Sequence, residues 1–280
     1  MNERRKMIAA VLLTAVVCIA GTYTLTANNE NSGNSDLTVT GSTTIQPVMS
    51  LFQEEFEKYA SVTMNVTGGG SGAGATAAIN GTANIGMLSR DLKASEISSG
   101  LVSHVIAMDG VVVIVSSNVG VTDLTLEQLE QIYDGEITNW EDVGGIDLTI
   151  AVIAREEGSG TRDCFDTAMK TVDSSFEMKD DVATYNSTGG VTSAVNSTPG
   201  SIGYVNLNAA ENLSSNTRAI SVNGVTATSG TVIDGSYEIS RNLILATKGE
   251  ATGMTAFFLN WVLSEEGQDI IEKAGFVRIA

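Results

Sequence analysis

The stretch "AREEGSGTRDCF", residues 154–165, holds the residue types best suited to binding a small anion. It follows the apolar run "LTIAVI", so Arg155 is predicted to end a strand, and residues 159–161 are predicted to open a helix. A helix N-terminus carries free N–H groups, glycine lets the backbone approach a ligand, and arginine adds a charged fork of donors. The spacing of Arg155, Ser159, Gly160 and Thr161 therefore predicts an oxyanion site.

Three further loops share this design, because each ends a predicted strand, is rich in Gly, Ser or Thr, and opens a predicted helix. They are "TGSTTIQP" at residues 40–47, "TGGGSGAGAT" at 67–76 and "MLSRDL" at 87–92. Taken singly, such a loop is explained by ordinary helix capping and turn formation. The carboxyl ends of strands in an open α/β sheet meet at one crevice, so four such loops in one chain predict a shared site.

The elements that would hold these loops alternate between strands and helices. Strand-like runs at 37–41, 62–68, 104–118 and 148–154 are separated by amphipathic segments such as residues 45–59. In "TLEQLEQIYDG", residues 125–135, Thr125 stands three residues before Gln128, which is the pattern of a capping box at a helix start. The alternation predicts an α/β fold with mostly parallel sheets flanked by helices.

The N-terminal residues predict export. The basic stretch "NERRK" at residues 2–6 precedes an apolar run that begins at Met7, a pattern typical of a signal peptide or signal-anchor over residues 1–27. Attachment of a lipid to Cys18 is an alternative anchor, and residues 28–36 read as a flexible polar tether. Each outcome places the remainder of the chain in the periplasm or on the outer face of the cytoplasmic membrane.

Composition argues against several classes of function. A formal net charge of -18 without a basic stripe argues against nucleic-acid binding. Cys164 is the only cysteine beyond the apolar run, so neither an intrachain disulfide nor a multi-cysteine metal site is expected. His104 is the sole histidine and lies in an apolar run, which disfavours a role as general base. We expect no cofactor and no metal.

Two enzymatic alternatives are weaker. Gly70, Gly72 and Ala75 satisfy the G-x-G-x-x-A pattern of dinucleotide-binding folds, and Asp91 follows 21 residues after Gly70, but a Gly/Ala-rich run matches that pattern by chance. A secreted phosphatase-type hydrolase could use the same anion cradle. Such an enzyme would need a nucleophile with a metal or base beside the anion, and the sequence shows no obvious group of residues that would supply them.

Six motifs in order carry a resemblance: "TGSTTIQP", "GGGSGAG", "IGMLSRDL", "QIYDGEITNWEDVGG", "AREEGSGTRDCF" and "STPGSIGYV". From about Leu37 to its C-terminus the chain resembles the substrate-binding proteins of phosphate ABC transporters. The resemblance implies a type II periplasmic-binding fold with two crossing strands near 111–118 and 239–247. Lobe one would comprise 37–115 plus 241–280, and lobe two 116–240. It also implies a monomeric receptor, not an enzyme, that captures inorganic phosphate between the lobes and delivers it to membrane permease subunits.

Carried over position by position, the resemblance assigns the phosphate-binding residues as Thr43, Thr44, Ser71, Ser89, Arg90, Arg155, Ser159, Gly160 and Thr161. Glu157 would pair with Arg155, and Asp91 would support the site from behind. Some members of the family carry, at the position of Ser89, a carboxylate that accepts the proton of monohydrogen phosphate and so rejects sulfate. Asp91 or Glu156 could restore that acceptor. With Ser89 in its place, a receptor for sulfate, molybdate or tungstate stays an alternative.

Overall fold

The structure is a computed structural model that describes residues 35–279. The expectations for residues 1–27, for Cys18 and for the tether up to residue 34 lie outside the described residues. Within residues 35–279, no helix has the length and apolar character needed to cross a bilayer.

The strands of the described part are β1 (Ser35–Gly41), β2 (Val62–Gly68), β3 (Ile85–Leu88), β4 (Leu101–Ser116), β5 (Asp123–Leu124), β6 (Ala151–Arg155), β7 (Ala183–Tyr185), β8 (Ser201–Asn206), β9 (Thr217–Ala219), β10 (Ser221–Val222) and β11 (Ser240–Lys248). The main sheet has the order β2-β1-β3-β11-β4-β8-β6-β7, with β9 beside β4, while β5 and β10 form a separate pair.

The helices of the same residues are α1 (Gln46–Tyr59), α2 (Ser71–Asn80), α3 (Ala94–Ser98), α4 (Leu126–Asp134), α5 (Gly160–Val172), α6 (Thr188–Ser197), α7 (Leu207–Glu211), α8 (Ser229–Ile233), α9 (Gly253–Val262) and α10 (Glu265–Lys273). A 3-10 helix spans Trp140–Val143. The predicted capping box is confirmed, because the Gln128 amide donates to Thr125 Oγ1 at 3.1 Å and the Thr125 amide donates to Gln128 Oε1 at 2.9 Å.

Two groups of parallel strands are joined by two antiparallel strands. β1 pairs in parallel with β2 and β3, and we call these three strands the first half-sheet. β6 pairs in parallel with β7 and β8, which form the second half-sheet. Between them β4 and β11 run antiparallel to each other, β11 bordering β3 and β4 bordering β8. The α/β class predicted from the sequence, with connecting strands near residues 111–118 and 239–247, is confirmed.

Separate apolar clusters cover the two half-sheets. One cluster is built around the aromatic residues Phe52, Phe56, Phe258 and Trp261, which pack α1 and α9 against the first half-sheet. The other contains Tyr133, Trp140, Phe165 and Tyr204 and lies under α4 and α5; there the Phe165 and Tyr204 rings stack with centroids 4.3 Å apart. The second cluster thereby fixes α5, whose N-terminus contacts the loops discussed below.

Two boundaries differ from expectation. The strand-like run at 104–118 belongs to a longer strand, β4, which begins at Leu101, has 16 residues and ends at Ser116. The tether predicted to run to residue 36 ends earlier, because Ser35 and Asp36 already pair in parallel with Val62 and Thr63 of β2. The residue types at 35–36, Ser and Asp, hid this pairing, since polar residues at the start of a strand give no apolar signal in the sequence.

Candidate functional site

Arg155 ends β6 and is 2% exposed. Its Nε and Nη2 atoms donate to the two carboxylate oxygens of Glu156 at 2.8 and 2.9 Å, and Nε also lies 3.2 Å from the Tyr185 carbonyl oxygen. Because Glu156 takes the side-on edge of the guanidinium, the end-on edge formed by Nη1 and Nη2 points away from it. Apart from the bond of Nη2 to Glu156 and a 3.5 Å contact of Nη1 with Thr188 Oγ1, Nη1 and Nη2 have no partner among residues 35–279. Such an edge fits two oxygens of a tetrahedral oxyanion.

Glu156, and not Glu157, is the acidic partner of Arg155, which corrects the prediction from the sequence. The Glu156 amide donates to the Tyr185 carbonyl at 3.2 Å, so the β6–β7 pairing continues for one residue and keeps the Glu156 side chain beside the arginine. The backbone then turns through Gly158, whose φ is 83°, and Glu157 is exposed in a surface cavity. Sequence reasoning had no means of locating this turn to within one residue.

The N-terminus of α5 offers free amides beside Arg155. Ser159 caps the helix: its Oγ accepts from the Arg162 amide at 3.4 Å, and its carbonyl accepts from the Asp163 amide at 2.9 Å. The amides of Gly160 and Thr161 are those that a helix leaves unpaired at its start. Ser159 and Thr161 are each 1% exposed, so a ligand held here would be largely desolvated. Ser159, Gly160 and Thr161 therefore lie together at the N-terminus of α5, beside Arg155.

Ser71 and Ser89 bring two loops of the first half-sheet against α5. The Ser89 amide donates to Ser71 Oγ at 3.0 Å, and the two hydroxyl oxygens are 3.3 Å apart. A Cβ atom added to Gly160 would overlap the Ser71 hydroxyl and lie 2.6 Å from Ser89 Oγ. The Gly72 amide also donates to the Gly158 carbonyl at 2.9 Å. Glycine at position 160 is therefore required by the close approach of the two half-sheets.

Thr43 and Thr44, in the loop after β1, complete the cluster. Thr44 Oγ1 lies 3.3 Å from Thr161 Oγ1, which joins the first loop to α5. Thr43 Oγ1 is buried and has no hydrogen-bond partner among residues 35–279, so it is a free donor or acceptor inside the molecule. Thr43, Thr44 and Thr188 line one cavity of about 340 Å³, and Thr188 is the residue that contacts Arg155.

Arg90 does not have the role predicted for it. Its Nη1 and Nη2 atoms donate to the two oxygens of Glu96 at 2.8 and 2.7 Å, Nη1 donates to the Asp91 carbonyl, and Nε lies 2.7 Å from Asp163 Oδ2. Burial acts against the charged form of Glu96, but hydrogen bonds from Arg90 and from the Lys93 amide outweigh it and lower the pKa of that carboxyl. With one carboxylate and a carbonyl as hydrogen-bond acceptors and a second carboxylate in an ion-pair contact with Nε, the Arg90 guanidinium is engaged by the protein.

Asp91 and His104 lie apart from the cluster. Asp91 is exposed and accepts a hydrogen bond from Asn242 Nδ2 at 3.0 Å, so it does not reach the Ser89 hydroxyl as a proton acceptor. His104, on β4, has its Nε2 atom 2.9 Å from Thr247 Oγ1 and is half-buried. Over residues 35–279 no three His, Cys, Asp or Glu side chains are grouped as a metal site would require.

Sequence reasoning missed the buried pair formed by Arg241 and Asp109. Asp109 is fully buried on β4, and its Oδ2 accepts from Arg241 Nη2 at 2.7 Å. Arg241 also reaches the loops at the site, with Nη1 3.1 Å from the Ser89 carbonyl and Nη2 3.4 Å from Thr44 Oγ1. The sequence did contain a signal for this pair. Asp109 and Arg241 are isolated charged residues in otherwise apolar strands, where a charged side chain is rarely buried unless it is paired.

Taken together, the cluster is a donor-rich cradle for a small anion. One carboxylate offsets the charge of Arg155, so attraction comes from the end-on guanidinium edge, the hydroxyl groups and the free amides of α5. The buried hydroxyls can also accept hydrogen bonds. An arrangement of this kind is complementary to a small oxyanion.

Comparison with known proteins agrees with this geometry. Residues 26–266 match the family model described as a PBP superfamily domain. The phosphate-binding protein PstS of Borreliella burgdorferi is 33% identical over 90% of this chain and 93% of its own length, and PstS of Bacillus subtilis is 29% identical over 99% and 95%.

Solved structures give the same picture. A protein from Clostridium perfringens described as a phosphate ABC transporter substrate-binding protein, with bound phosphate, is 36% identical and superposes with a TM-score of 0.82 over 88% of this chain and 100% of its own. An ABC-type phosphate transport receptor from Vibrio cholerae is 30% identical, with a TM-score of 0.73 over 87% and 100%. The chain thus belongs to the PBP superfamily and, within it, to the family of PstS phosphate-binding proteins.

Proposed function

We propose that this protein is an extracytoplasmic receptor that captures inorganic phosphate between the two half-sheets and delivers it to the permease of an ABC importer. The observation that carries the proposal is the Arg155 guanidinium. Glu156 holds its side-on edge, its end-on edge is directed away from that carboxylate, and Thr188 beside it opens on the cavity that Thr43 and Thr44 also line. A fixed guanidinium edge among buried hydroxyls is complementary to a tetrahedral oxyanion.

The binding residues we assign are Thr43, Thr44, Ser71, Ser89, Arg155, Ser159, Gly160 and Thr161, with Glu156 orienting the arginine. Loops from both half-sheets contribute, as the contacts Thr44–Thr161 and Gly72–Gly158 illustrate. The anion would therefore be enclosed when residues 37–115 plus 241–280 and residues 116–240 move together as two lobes about β4 and β11. The separate apolar clusters of the two half-sheets support such a division.

Discrimination between phosphate and sulfate would depend on the Ser71–Ser89 pair. At neutral pH phosphate carries at least one proton and sulfate carries none, so a hydrogen-bond acceptor in the site favours phosphate. Glu156 is bound to Arg155 and Asp91 is exposed, which leaves the paired serine hydroxyls as the acceptors nearest α5. Since a hydroxyl can also donate, sulfate or a related oxyanion is the second candidate ligand.

We assign the protein no catalytic step and no cofactor. The cradle contains donors for an anion, while His104 lies apart on β4 beside Thr247. Several relatives are named binding proteins, which supports the same reading. The basic and apolar N-terminus of the sequence supports export, with the folded part acting as a monomer at the outer face of the membrane or in the periplasm.

Titration calorimetry tests the proposal. The full chain, purified in a mild detergent, would be unfolded and refolded to remove any bound anion, and then titrated with phosphate and separately with sulfate in the presence of EDTA. We expect tight one-to-one binding of phosphate that EDTA does not affect. A response to sulfate alone would transfer the assignment to the second candidate ligand. Absence of binding by either anion would refute the receptor function.

A further inference from the structure

The ion pair of Arg241 and Asp109 lies where the two connecting strands meet. The residues face each other in the register of β4 and β11, and they are 7% and 0% exposed. Nε and Nη2 of Arg241 donate to the same oxygen of Asp109, Oδ2, at 3.1 and 2.7 Å. The other oxygen, Oδ1, accepts from the Leu207 amide, the first residue of α7, at 3.1 Å. The carboxylate therefore fixes the guanidinium from behind.

The remaining contacts of Arg241 reach forward to the anion cradle. Nη1 donates to the Ser89 carbonyl at 3.1 Å, and Nη2 lies 3.4 Å from Thr44 Oγ1. Ser89 and Thr44 belong to different loops of the first half-sheet. One guanidinium thus contacts two of the loops that carry candidate phosphate-binding residues, without itself being among those residues.

The direction of the hydrogen bonds follows from the chemistry of arginine. A guanidinium only donates, so Thr44 Oγ1 must accept from Arg241. The proton of Thr44 is then free for Thr161 Oγ1, 3.3 Å away, or for an anion. If Thr44 donates to Thr161, Thr161 turns its own proton outward. In either arrangement the Thr44–Thr161 pair presents an O–H donor to a bound anion.

We propose that Arg241, held by Asp109, is a positioning residue for anion binding that acts by orienting the Thr44 hydroxyl. The proposal rests on the function proposed above and deepens it. Arg241 and Asp109 carry opposite charges at 2.7 Å, so the pair contributes little net attraction for an anion. Its effect is on hydrogen-bond direction, which separates it from Arg155, whose end-on edge would touch the ligand.

A double-mutant cycle tests this role. Inorganic phosphate is titrated calorimetrically into the full chain of the wild type, Arg241→Lys, Thr44→Val and the Arg241→Lys/Thr44→Val double variant. Lysine preserves the charge opposite Asp109, but its compact ammonium cannot reproduce the planar fork. A second set replaces Arg241→Lys by the charge-neutral combination Asp109→Asn/Arg241→Met, which leaves no unpaired buried charge. Arg218→Lys is the matched control, because Arg218 donates to the Val121 carbonyl elsewhere in the fold.

We expect Arg241→Lys to weaken phosphate binding about tenfold, the scale of one hydrogen bond to a charged group. In a Thr44→Val background, Arg241→Lys should weaken phosphate binding less than about twofold, because the hydroxyl group that Arg241 orients is absent. Arg218→Lys should leave the affinity unchanged. Unfolding temperatures measured without phosphate show whether a variant is merely less stable.

Three outcomes would overturn the inference. They are wild-type affinity in Arg241→Lys, penalties that multiply in the double variant, and failure of both Arg241 variants to fold, which would assign the pair to the scaffold. The wild-type titration keeps the two proposals apart. If the wild type binds phosphate and the cycle is additive, only the inference about Arg241 fails; if the wild type does not bind phosphate, the proposed function fails first.

Discussion

Arg90 and Asp163 form an ion pair between the loop after β3 and the first turn of α5, with Nε and Oδ2 2.7 Å apart. Lys93 Nζ lies 3.1 Å from the same carboxylate oxygen. The side chains of Arg90 and Asp163 are 7% and 27% exposed, so water screens this contact less than it screens surface pairs. The pair joins the loop after β3 to α5 beside the anion cradle, so Arg90 contacts protein groups on both sides of the cradle.

Asp163→Asn should accelerate the dissociation of phosphate. The substitution removes a carboxylate shared by Arg90 and Lys93, so the contact between the half-sheets weakens, and we expect the dissociation constant to rise about fivefold, on the scale of about 1 kcal/mol. Stopped-flow experiments measure the dissociation rate, and calorimetric titrations measure the dissociation constant. Asp181→Asn, at an 82% exposed side chain, is the control that should change neither. An unaltered dissociation rate in Asp163→Asn would remove the pair from the closing contacts.

Arg155→Ala should lower the affinity for phosphate by more than about tenfold, because a desolvated, charged donor with two prongs is lost. Calorimetry on the variant and the wild type gives the ratio. Lys58→Ala removes the same charge from the exposed end of α1, where Lys58 pairs with Glu54 and Glu55, and should have little effect. Equal affinities in Arg155→Ala and Lys58→Ala would show that Arg155 is not in the site.

Gly160→Ala should weaken phosphate binding at least about tenfold, since an overpacked contact costs about 1–3 kcal/mol. The new methyl group would overlap the Ser71 hydroxyl and approach the Ser89 backbone to 2.9 Å, so α5 and the first half-sheet must separate. Gly230→Ala is the matched control, because Gly230 is exposed on α8 and the nearest atom to a Cβ added there is Thr228 Oγ1 at an ordinary 3.7 Å. Binding as tight as in the wild type would mean that the loops do not close on each other around the anion.

Ser89→Asp should make the site selective for phosphate. A carboxylate at this position accepts the proton of phosphate but repels sulfate, so we expect the ratio of sulfate to phosphate dissociation constants to rise at least about a hundredfold. Competition titrations with both anions measure this ratio. Ser89→Ala separates loss of the hydroxyl from gain of the carboxylate. A ratio that is the same in Ser89→Asp and the wild type would place the discriminating acceptor elsewhere.

Cys164 should resist alkylation in the folded protein. Burial raises the pKa of its thiol to about 11, so at pH 8 roughly one molecule in a thousand carries the reactive thiolate. Iodoacetamide labelling, followed by mass spectrometry in a Cys18→Ser background, should be slow at pH 8, increase towards pH 11, and become fast in denaturant. Cys164 is partly buried and lines a cavity with Arg90 and Arg241, so the raised pKa and not complete burial is what protects it. Rapid labelling of the native protein at pH 8 would contradict the raised pKa of the thiol.

The sequence predicted the elements better than it predicted the partners of charged side chains. The strand–loop–helix pattern was enough to bring Thr44, Ser71 and Thr161 together, because loops at the carboxyl ends of parallel strands meet at one edge. The predicted acidic partner of Arg155, Glu157, was wrong by one residue. The position of the turn at Gly158 decides which glutamate lies beside the arginine, and in the structure it is Glu156.

Long-range ion pairs escaped prediction for a different reason. Arg90 meets Asp163 across 73 residues, and Arg241 meets Asp109 across 132, distances in sequence over which no local pattern carries information. Only the order of strands in the sheet determines these contacts. The isolated charges at Asp109 and Arg241 signalled that some partner existed, while their identity required the register of β4 against β11.

The division of the cradle between loops of both half-sheets, joined by the contacts Thr44–Thr161 and Gly72–Gly158, has a consequence for unloading. The loops of neither half-sheet alone contain all of the hydrogen-bond donors. Moving the half-sheets apart would therefore take many of these donors away from a bound anion in a single motion. In the receptor function proposed above, a membrane partner that bound one half-sheet with each of two subunits would need no contact with the anion. Release would then be governed by the geometry of docking, and the strongly acidic surface would hinder recapture of an anion once it had left.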